Sequence, residues 1–324
     1  MANQNIMYIL GLNAGHNSTA CLLKDGKIVG CVSEERFTRV KNHSGMPLKS
    51  VEFLLNENKI IIDDIDLIVL DQNLKKNPDF GKKFLEAYTK KSFKKRVLSR
   101  AGYNFPVLFE KYFKFKGPMH TSGKIKKEES FKEKISAILK IPKHKIEILN
   151  HHLAHAFAPC FNLQDKTLIF TLDGEGDGLC ATVSVFDGKD LKIISKTDKS
   201  SSLGYLYSIV TIFLGMKPLQ HEFKVMGLAP YAKKHNIDKI YPEFKNIIKI
   251  EDSLKFKSEF NMPFADHYLK KNFEFARFDM VAGGVQKLVE DLTCEWIVKA
   301  IKKTGINKIA LSGGVFMNVK ANHK

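Results

Sequence analysis

Two stretches of the chain repeat the same order of apolar and polar positions. Residues 6–34 and residues 167–198 each contain an apolar strand, a loop of small polar residues, a second strand, an Asp-Gly turn and a third strand. Asp-Gly between alternating strands is typical of a β-hairpin. Because the two copies stand about 160 residues apart, the repeat predicts two related lobes that each begin with three strands.

A helix and a further strand follow the second copy. Apolar residues recur at helical spacing over residues 281–303, and Gly305 stands where the helix would end. A predicted strand over 308–312 (KIALS) then leads into the glycine pair Gly313 and Gly314. A glycine pair at the carboxyl end of a strand commonly marks a ligand crevice in α/β proteins. The pattern therefore predicts an α/β fold.

The two small-residue loops and the late glycine pair are candidate sites for an anion. Glycine allows close approach of the backbone, and amides that point into a concavity bind phosphate. Together the three loops resemble the nucleotide cleft of the actin, sugar-kinase and Hsp70 superfamily. The predicted nucleotide and phosphate contacts are Asn13, Gly15, Asn17, Asp173, Gly174, Gly176, Asp177, Gly313, Gly314 and Asn318.

Histidines supply the candidate chemistry. His151 and His155 are four residues apart on a short predicted helix, so they share one face of it. Two imidazoles at this spacing can hold a transition metal, although such a pair more often serves only ordinary hydrogen bonding. Position 152 is His, so the glutamate of a zinc-protease motif is missing. His16, inside the first loop, is a candidate general base or anion contact, or only a hydrogen-bonding residue of the turn.

Composition narrows the class of protein. Apolar residues make up 44% and charged residues 27% of the chain, as in soluble globular proteins. No apolar run is long enough for a membrane span. The five cysteines are scattered without a CxxC pair, which argues against a disulfide framework or a zinc knuckle. We therefore expect a cytoplasmic location.

The positive charge is concentrated in one segment. The formal net charge is +17, and residues 75–145 hold 21 basic but only 6 acidic side chains. This segment is predicted to be a basic, mainly helical insertion. It is either a docking face for an anionic partner or a solvated surface. No nucleic-acid-binding motif is present, so no specific nucleic acid is expected as a partner.

The motifs taken together resemble the O-carbamoyltransferase family, which includes nodulation-factor and antibiotic carbamoyltransferases. They are GLNAGHNSTACLLKDGKIV, SEERFTRVKN, NHHLAHA, LDGEGDG, HEFKVMGLAPY and LSGGVFMNVKAN, in family order from residue 6 to 322. The resemblance implies an actin-like ATPase (ribonuclease H-like) fold with duplicated lobes. We expect one lobe over 1–165, including the insertion, and a second over 166–324 that is incomplete at its C-terminal end.

The resemblance also implies a two-step reaction. Carbamoyl phosphate and ATP would form carbamoyladenylate, which would pass its carbamoyl group to a hydroxyl of a sugar-like or secondary-metabolite acceptor. His151 and His155 would hold an iron-like divalent metal, and Mg²⁺ would accompany the phosphates near Asp173 and Asp177. The other implied roles are catalysis by His16 and Lys41 and, on the acceptor side, contacts from Glu222 and Lys224.

Two parts of the family pattern are not found in the chain. Related enzymes have a third metal ligand, an aspartate after the glycine pair, and a YrdC-like domain that makes the adenylate. We therefore interpret the chain as a fragment and expect that domain C-terminally or in another chain. A second copy of the chain, as a homodimer, is another candidate partner. The alternative functions are a sugar kinase-like ATPase and a non-catalytic nucleotide-binding protein.

Overall fold

The computed structural model describes residues 6–15, 17–71 and 121–324, which form two compact units. The first unit holds the described residues up to 151, and the second holds residues 152–324. The strands of the first unit are β1 (Tyr8–Asn13), β2 (Thr19–Lys24), β3 (Lys27–Ser33), β4 (Leu67–Leu70) and β5 (Ile146–Ile148). Its helices are α1 (Glu35–Thr38), α2 (Leu48–Glu57) and α3 (Thr121–Leu139).

The first unit is built on one mixed sheet with the strand order β3-β2-β1-β4-β5. Strands β1 to β3 are antiparallel neighbours, while β4 and β5 run parallel to β1. Alternate residues of β1 and β2 are buried, because one face of the sheet packs on the core with α2 and α3. Leu54 of α2 lies so close to Gly30 that a Cβ atom there would be 2.4 Å from its side chain, which explains a glycine in mid-strand.

The helix α4 (His151–Cys160) spans the boundary between the units: His151 is the last residue of the first unit, and the rest of the helix belongs to the second. The strands of the second unit are β6 (Thr167–Gly176), β7 (Leu179–Phe186), β8 (Leu191–Asp198), β9 (Ile248–Ile250), β10 (Phe256–Ser258) and β11 (Ile309–Ser312). Its later helices are α5 (Leu203–Phe213), α6 (Glu222–Leu228), α7 (Lys234–Lys245), α8 (Ala265–Phe273), α9 (Phe278–Thr304) and α10 (Val319–His323).

The main sheet of the second unit has the strand order β11-β6-β7-β8, with β6 to β8 antiparallel and β11 parallel to β6. Six consecutive residues of β6 are buried, because the strand is covered on both faces. Phe170 on one face contacts Trp296 of α9 at a ring distance of 5.0 Å, while Ile169 on the other face packs with Ala156 of α4.

The structure confirms the α/β class and shows the same order of four strands in the main sheet of each unit. In both units an antiparallel three-stranded meander is followed by a strand parallel to its first strand. The predicted helix over 281–303 is the core of α9, and it ends at Gly305 in the left-handed conformation, as predicted. The expected lobe boundary after residue 165 remains a prediction.

The basic insertion falls mostly outside the described residues. Of the segment 75–145, the structure describes only residues 121–145, which include α3. No helix in the described part of the chain combines the length and apolar character needed to cross a bilayer.

Candidate functional site

A group of three metal-ligating side chains lies where α4 meets β6. His151 and His155 stand one helical turn apart on α4, and Asp173 lies on β6. One ligand atom from each of the three residues lies within 4.8 Å of the other two. The side chains of His155 and Asp173 are 29% and 27% exposed, so they remain accessible to a ligand from solvent.

Neighbouring groups orient the side chains of Asp173 and His155. The Asp173 carboxylate accepts a hydrogen bond from the backbone N–H of Gly174 through Oδ1 (2.7 Å), while Oδ2 lies 3.2 Å from His155 Nε2. The other ring nitrogen of His155, Nδ1, lies 3.5 Å from the hydroxyl of Ser312 at the end of β11. Sequence analysis did not select Ser312, although it directly precedes the predicted glycine pair.

Three glycines make room for the backbone and carboxylate at Asp173. A Cβ atom on Gly314 would stand 2.9 Å from Asp173 Oδ1, and one on Gly313 would stand 2.5 Å from the carbonyl oxygen of Leu172. Gly313 also has a φ of 108°, which only glycine adopts readily. Gly204, in the first turn of α5, approaches the same segment from α5: an added Cβ atom there would stand 2.8 Å from the backbone nitrogen of Gly174. The glycine pair therefore contacts β6 itself.

Sequence analysis predicted a loop of small polar residues after the first strand of the second unit, and the structure differs. Strand β6 continues through Asp173 to Gly176, with a shift of its pairing with β7 between Leu172 and Gly176. Asp177 and Gly178 alone form the turn, both with positive φ as in a type I′ hairpin. Asp173 therefore lies on an irregular stretch of strand, which aims its side chain differently from a loop residue.

The third histidine of the motif has a separate position. His152 is 1% exposed, and its Nδ1 lies 2.8 Å from the hydroxyl of Thr171 on β6. The Thr171 hydroxyl is in turn 2.7 Å from that of Thr182 on β7. This chain of hydrogen bonds joins α4 to the sheet, which fixes the helix that carries the two outer histidines.

Asn318, a predicted nucleotide contact, is held inside the unit. Its Oδ1 accepts hydrogen bonds from Ala321 N–H at the start of α10 and from Gln286, and its Nδ2 donates to Gln286 Oε1. Tyr207 donates to the same Gln286 oxygen (2.9 Å), and burial raises the pKa of that tyrosine, which keeps its hydroxyl protonated. Both ends of the Asn318 amide thus have partners within the protein.

The first loop of the first unit is ordered by its own side chains. Asn13 Oδ1 accepts from Gly15 N–H at 2.6 Å, and Asn13 Nδ2 donates to the carbonyl of Asn17 at 3.3 Å. Thr19 also donates to that carbonyl, at 3.0 Å. His16, the predicted general base, lies outside the described residues.

The segment that contains Lys41 packs on this loop. Ser18 N–H donates to the His43 carbonyl, the Ser18 hydroxyl donates to the Gly45 carbonyl, and Gly45 N–H donates to the Ala14 carbonyl. Lys41 itself is exposed. The structure therefore brings the backbone of these two predicted segments together within the first unit.

Glu222 and Lys224, placed by resemblance on the acceptor side, lie on α6. Glu222 Oε1 accepts hydrogen bonds from the Ser208 hydroxyl (2.9 Å) and from Leu219 N–H (2.7 Å), so it ties the turn before α6 to α5. Lys224 is exposed, with its Nζ 3.2 Å from His221 Nε2. Through these contacts Glu222 positions the turn before α6 against α5.

Fold and site together define an α/β protein with duplicated sheets and a candidate His-His-Asp metal site. The chain belongs to the carbamoyltransferase N-terminus family, which matches residues 8–324.

Curated relatives match nearly the whole chain. An uncharacterised protein of Methanocaldococcus jannaschii is 28% identical over 325 residues, which cover 98% of this chain and 52% of that protein. The nodulation protein NolNO of Sinorhizobium fredii is 24% identical over 324 residues, which cover 95% of this chain and 42% of that protein. The chain thus spans about half the length of these relatives.

Two solved structures are similar at a low level. Component A of (R)-2-hydroxyglutaryl-CoA dehydratase from Acidaminococcus fermentans has a TM-score of 0.45 and 13% identity, with 98% of this chain and 86% of that chain covered. The HypF protein of T. kodakarensis has a TM-score of 0.43 and 13% identity, with 98% and 43% covered. Similarity at this level says nothing about function.

Proposed function

We propose that this chain is the carbamoyl-transferring portion of a carbamoyltransferase. It would move the carbamoyl group of carbamoyladenylate to a hydroxyl of a small-molecule or oligosaccharide acceptor. The observation that carries the proposal is the group of His151, His155 and Asp173, found in a chain that matches the family over residues 8–324.

The three side chains suit a divalent transition metal. Two imidazole nitrogens and one carboxylate oxygen are the donor set of non-haem iron(II) sites, and zinc accepts it as well. Hydrogen bonds already orient the donors: Ser312 faces the second nitrogen of His155, and Gly174 N–H holds one oxygen of Asp173. When bound, the metal would act as a Lewis acid on a carbonyl oxygen.

Backbone groups would bind the nucleotide. In the second unit, the turn at Asp177 and Gly178 and the segment at Gly313 offer amides close to β6, and Mg²⁺ would neutralise the phosphates there. In the first unit, side-chain hydrogen bonds of Asn13 hold Gly15 and Asn17, two described residues of the first loop. Order before binding lowers the entropic cost of holding a ligand.

The acceptor would be activated by side chains of the first unit. His16 would take the proton of the attacking hydroxyl, and Lys41 would offset the negative charge that develops. Glu222 would shape the acceptor side by fixing the turn before α6. Carbamoyladenylate would come from a YrdC-like domain outside this chain, working on carbamoyl phosphate and ATP.

Metal binding is the first test. Iron(II) and zinc are titrated anaerobically into the chain, and bound metal is measured after desalting. We expect one equivalent in the unmodified protein and loss of at least tenfold in affinity for His155→Ala and Asp173→Asn. His235→Ala is the control, because His235 is an exposed histidine of α7 outside the group. Equal metal binding by all four proteins would contradict the proposed site.

Turnover is the second test. The full-length protein is incubated with ATP, carbamoyl phosphate and hydroxyl acceptors, and nucleotide products are separated. Release of AMP and pyrophosphate, with carbamoylated acceptor, supports the proposal. Release of ADP with phosphorylated acceptor would replace it with the kinase alternative, and nucleotide binding without turnover would replace it with a non-catalytic function.

A further inference from the structure

Two cysteines face each other on the first hairpin. Cys21 of β2 and Cys31 of β3 are direct register partners in an antiparallel pair. The neighbours Ala20 and Leu22 are fully buried, so Cys21 projects from the opposite face of the sheet. Antiparallel partners have Cα atoms about 4.5 or 5.5 Å apart, and both values fall within the range of about 4.4–6.8 Å found in disulfides.

The environment of the two thiols makes one of them reactive. The neighbouring Cys21 thiol lowers the pKa of Cys31 to about 6, and the Cys31 sulfur in turn raises the pKa of Cys21. Cys31 is exposed and Cys21 is half-buried, so a small reagent reaches the pair from solvent. A thiolate is the nucleophilic form of cysteine, which makes Cys31 the first sulfur to react.

Cys160 and Cys180, two of the other three cysteines, differ from this pair. Burial raises the pKa of Cys180, whose thiol donates to the Asp198 carbonyl at 3.3 Å. Burial also raises the pKa of Cys160, which bonds to the Ala156 carbonyl of its own helix. Both are therefore poor nucleophiles.

We propose that Cys21 and Cys31 are a modification site, a dithiol that peroxide converts reversibly into a disulfide across the β2–β3 hairpin. The Cys31 thiolate attacks a peroxide oxygen, the O–O bond breaks, and the leaving hydroxide is protonated to water. The Cys21 sulfur, on giving up its proton, then attacks the sulfenic sulfur, and the S–O bond breaks to release a second water. Two thiols are oxidised, one hydrogen peroxide is reduced, and an external dithiol restores both thiols.

The disulfide would lie beside a functional loop. Cys21 is also the register partner of Gly11 on β1, and β1 and β2 flank the loop from Asn13 to Asn17. Two residues before Cys21, Thr19 bonds both to that loop, at the Asn17 carbonyl, and across the hairpin to Ser33. A disulfide here would restrain the edge strand that supports these bonds. The pair is independent of the His-His-Asp group.

Peptide mapping tests the linkage. The native chain is treated with one equivalent of hydrogen peroxide, remaining thiols are alkylated, and peptides are analysed by mass spectrometry. We expect a peptide that links Cys21 to Cys31, faster than in the urea-unfolded chain and reversed by dithiothreitol. Cys160→Ser is expected to leave its rate unchanged. A pair that forms no faster in the native chain, or a linkage between two chains, would overturn the proposal.

Alkylation of Cys31 tests the mechanism through its pH profile. We expect half-maximal reactivity with iodoacetamide near pH 6 in the unmodified protein. Cys21→Ala removes the neighbouring thiol, so the midpoint moves towards about 8.5, the value of an ordinary thiol. Cys21→Ser keeps a hydroxyl donor beside Cys31, so we expect most of the lowering of the Cys31 pKa to remain. A midpoint near 8.5 in all three proteins would show that the pair is not activated.

Discussion

The close packing of α5 on the Asp173 segment makes Gly204 the sharpest test of the site. An added Cβ atom at Gly204 would stand 2.8 Å from the backbone nitrogen of Gly174 and 2.9 Å from the carbonyl carbon and oxygen of Asp173. All three are backbone atoms of β6, so they cannot turn aside as the end of a flexible side chain would. Gly204→Ala therefore forces α5 and β6 apart.

The expected magnitude follows from two opposing effects. Alanine in place of a helical glycine gains roughly 0.5–1 kcal/mol. Overpacking of this kind costs about 1–3 kcal/mol. The difference is a net loss of at most about 2.5 kcal/mol, and of about 1 kcal/mol at the midpoints, which lowers the melting temperature by roughly 2–4 °C. Gly227→Ala is the matched control, because Gly227 lies within α6 with nothing within 4 Å of an added Cβ atom.

The assay uses the single tryptophan of the chain. Trp296 is fully buried in the second unit, so its fluorescence reports thermal unfolding of that unit. Gly204→Ala should lower the midpoint and weaken metal binding about 10–100-fold, since Asp173 moves with its backbone. Gly227→Ala should raise the midpoint slightly and leave metal binding unchanged. If the two variants melt and bind metal alike, the steric reasoning is wrong.

Three further substitutions test other parts of the structure. Trp296→Ala is expected to cost about 3–5 kcal/mol by opening a cavity, and it also loses the hydrogen bond to the Leu254 carbonyl; chemical denaturation followed by circular dichroism measures it. Asn318→Ala removes a helix cap and the partner of Gln286, for an expected loss of about 1–2 kcal/mol in the same measurement. The Glu34 carboxylate accepts hydrogen bonds from Lys49 N–H, Ser50 N–H and the Ser50 hydroxyl at the start of α2. Glu34→Gln replaces one of its two acceptor oxygens with an NH₂ group, so we expect about 1–3 kcal/mol of destabilisation, visible as faster amide exchange in α2.

Local signals were sufficient to predict the hairpins and the long helix. Asp25 and Gly26 form the predicted turn, both with positive φ, because this pair tolerates that conformation. Gly305 ends α9 for the same reason. The pairing of β11 with β6 joins residues far apart in sequence, and only the repeat indicated that the two lobes share one plan.

The candidate site was predicted less completely. Helical spacing alone placed His151 and His155 on one face, because that relation is local. The approach of Asp173 depends on the register of α4 against β6 and on the irregular pairing of that strand, neither of which the sequence shows. Ser312 is close to His155 only because β11 lies beside β6. Asn318 was assigned to the nucleotide from its motif, while its hydrogen bonds depend on a residue 32 positions earlier.

The position of Asp173 on β6 affects the order in which parts of the second unit unfold. A strand covered on both faces is among the last segments to open, and its amides exchange with solvent only when much of the unit unfolds. Asp173 directly follows the six buried residues of β6, so local fluctuations of the surface helices would leave the backbone that carries it anchored at Leu172. Partial denaturation should abolish the exchange protection of the surface helices well before this oxygen ligand is lost.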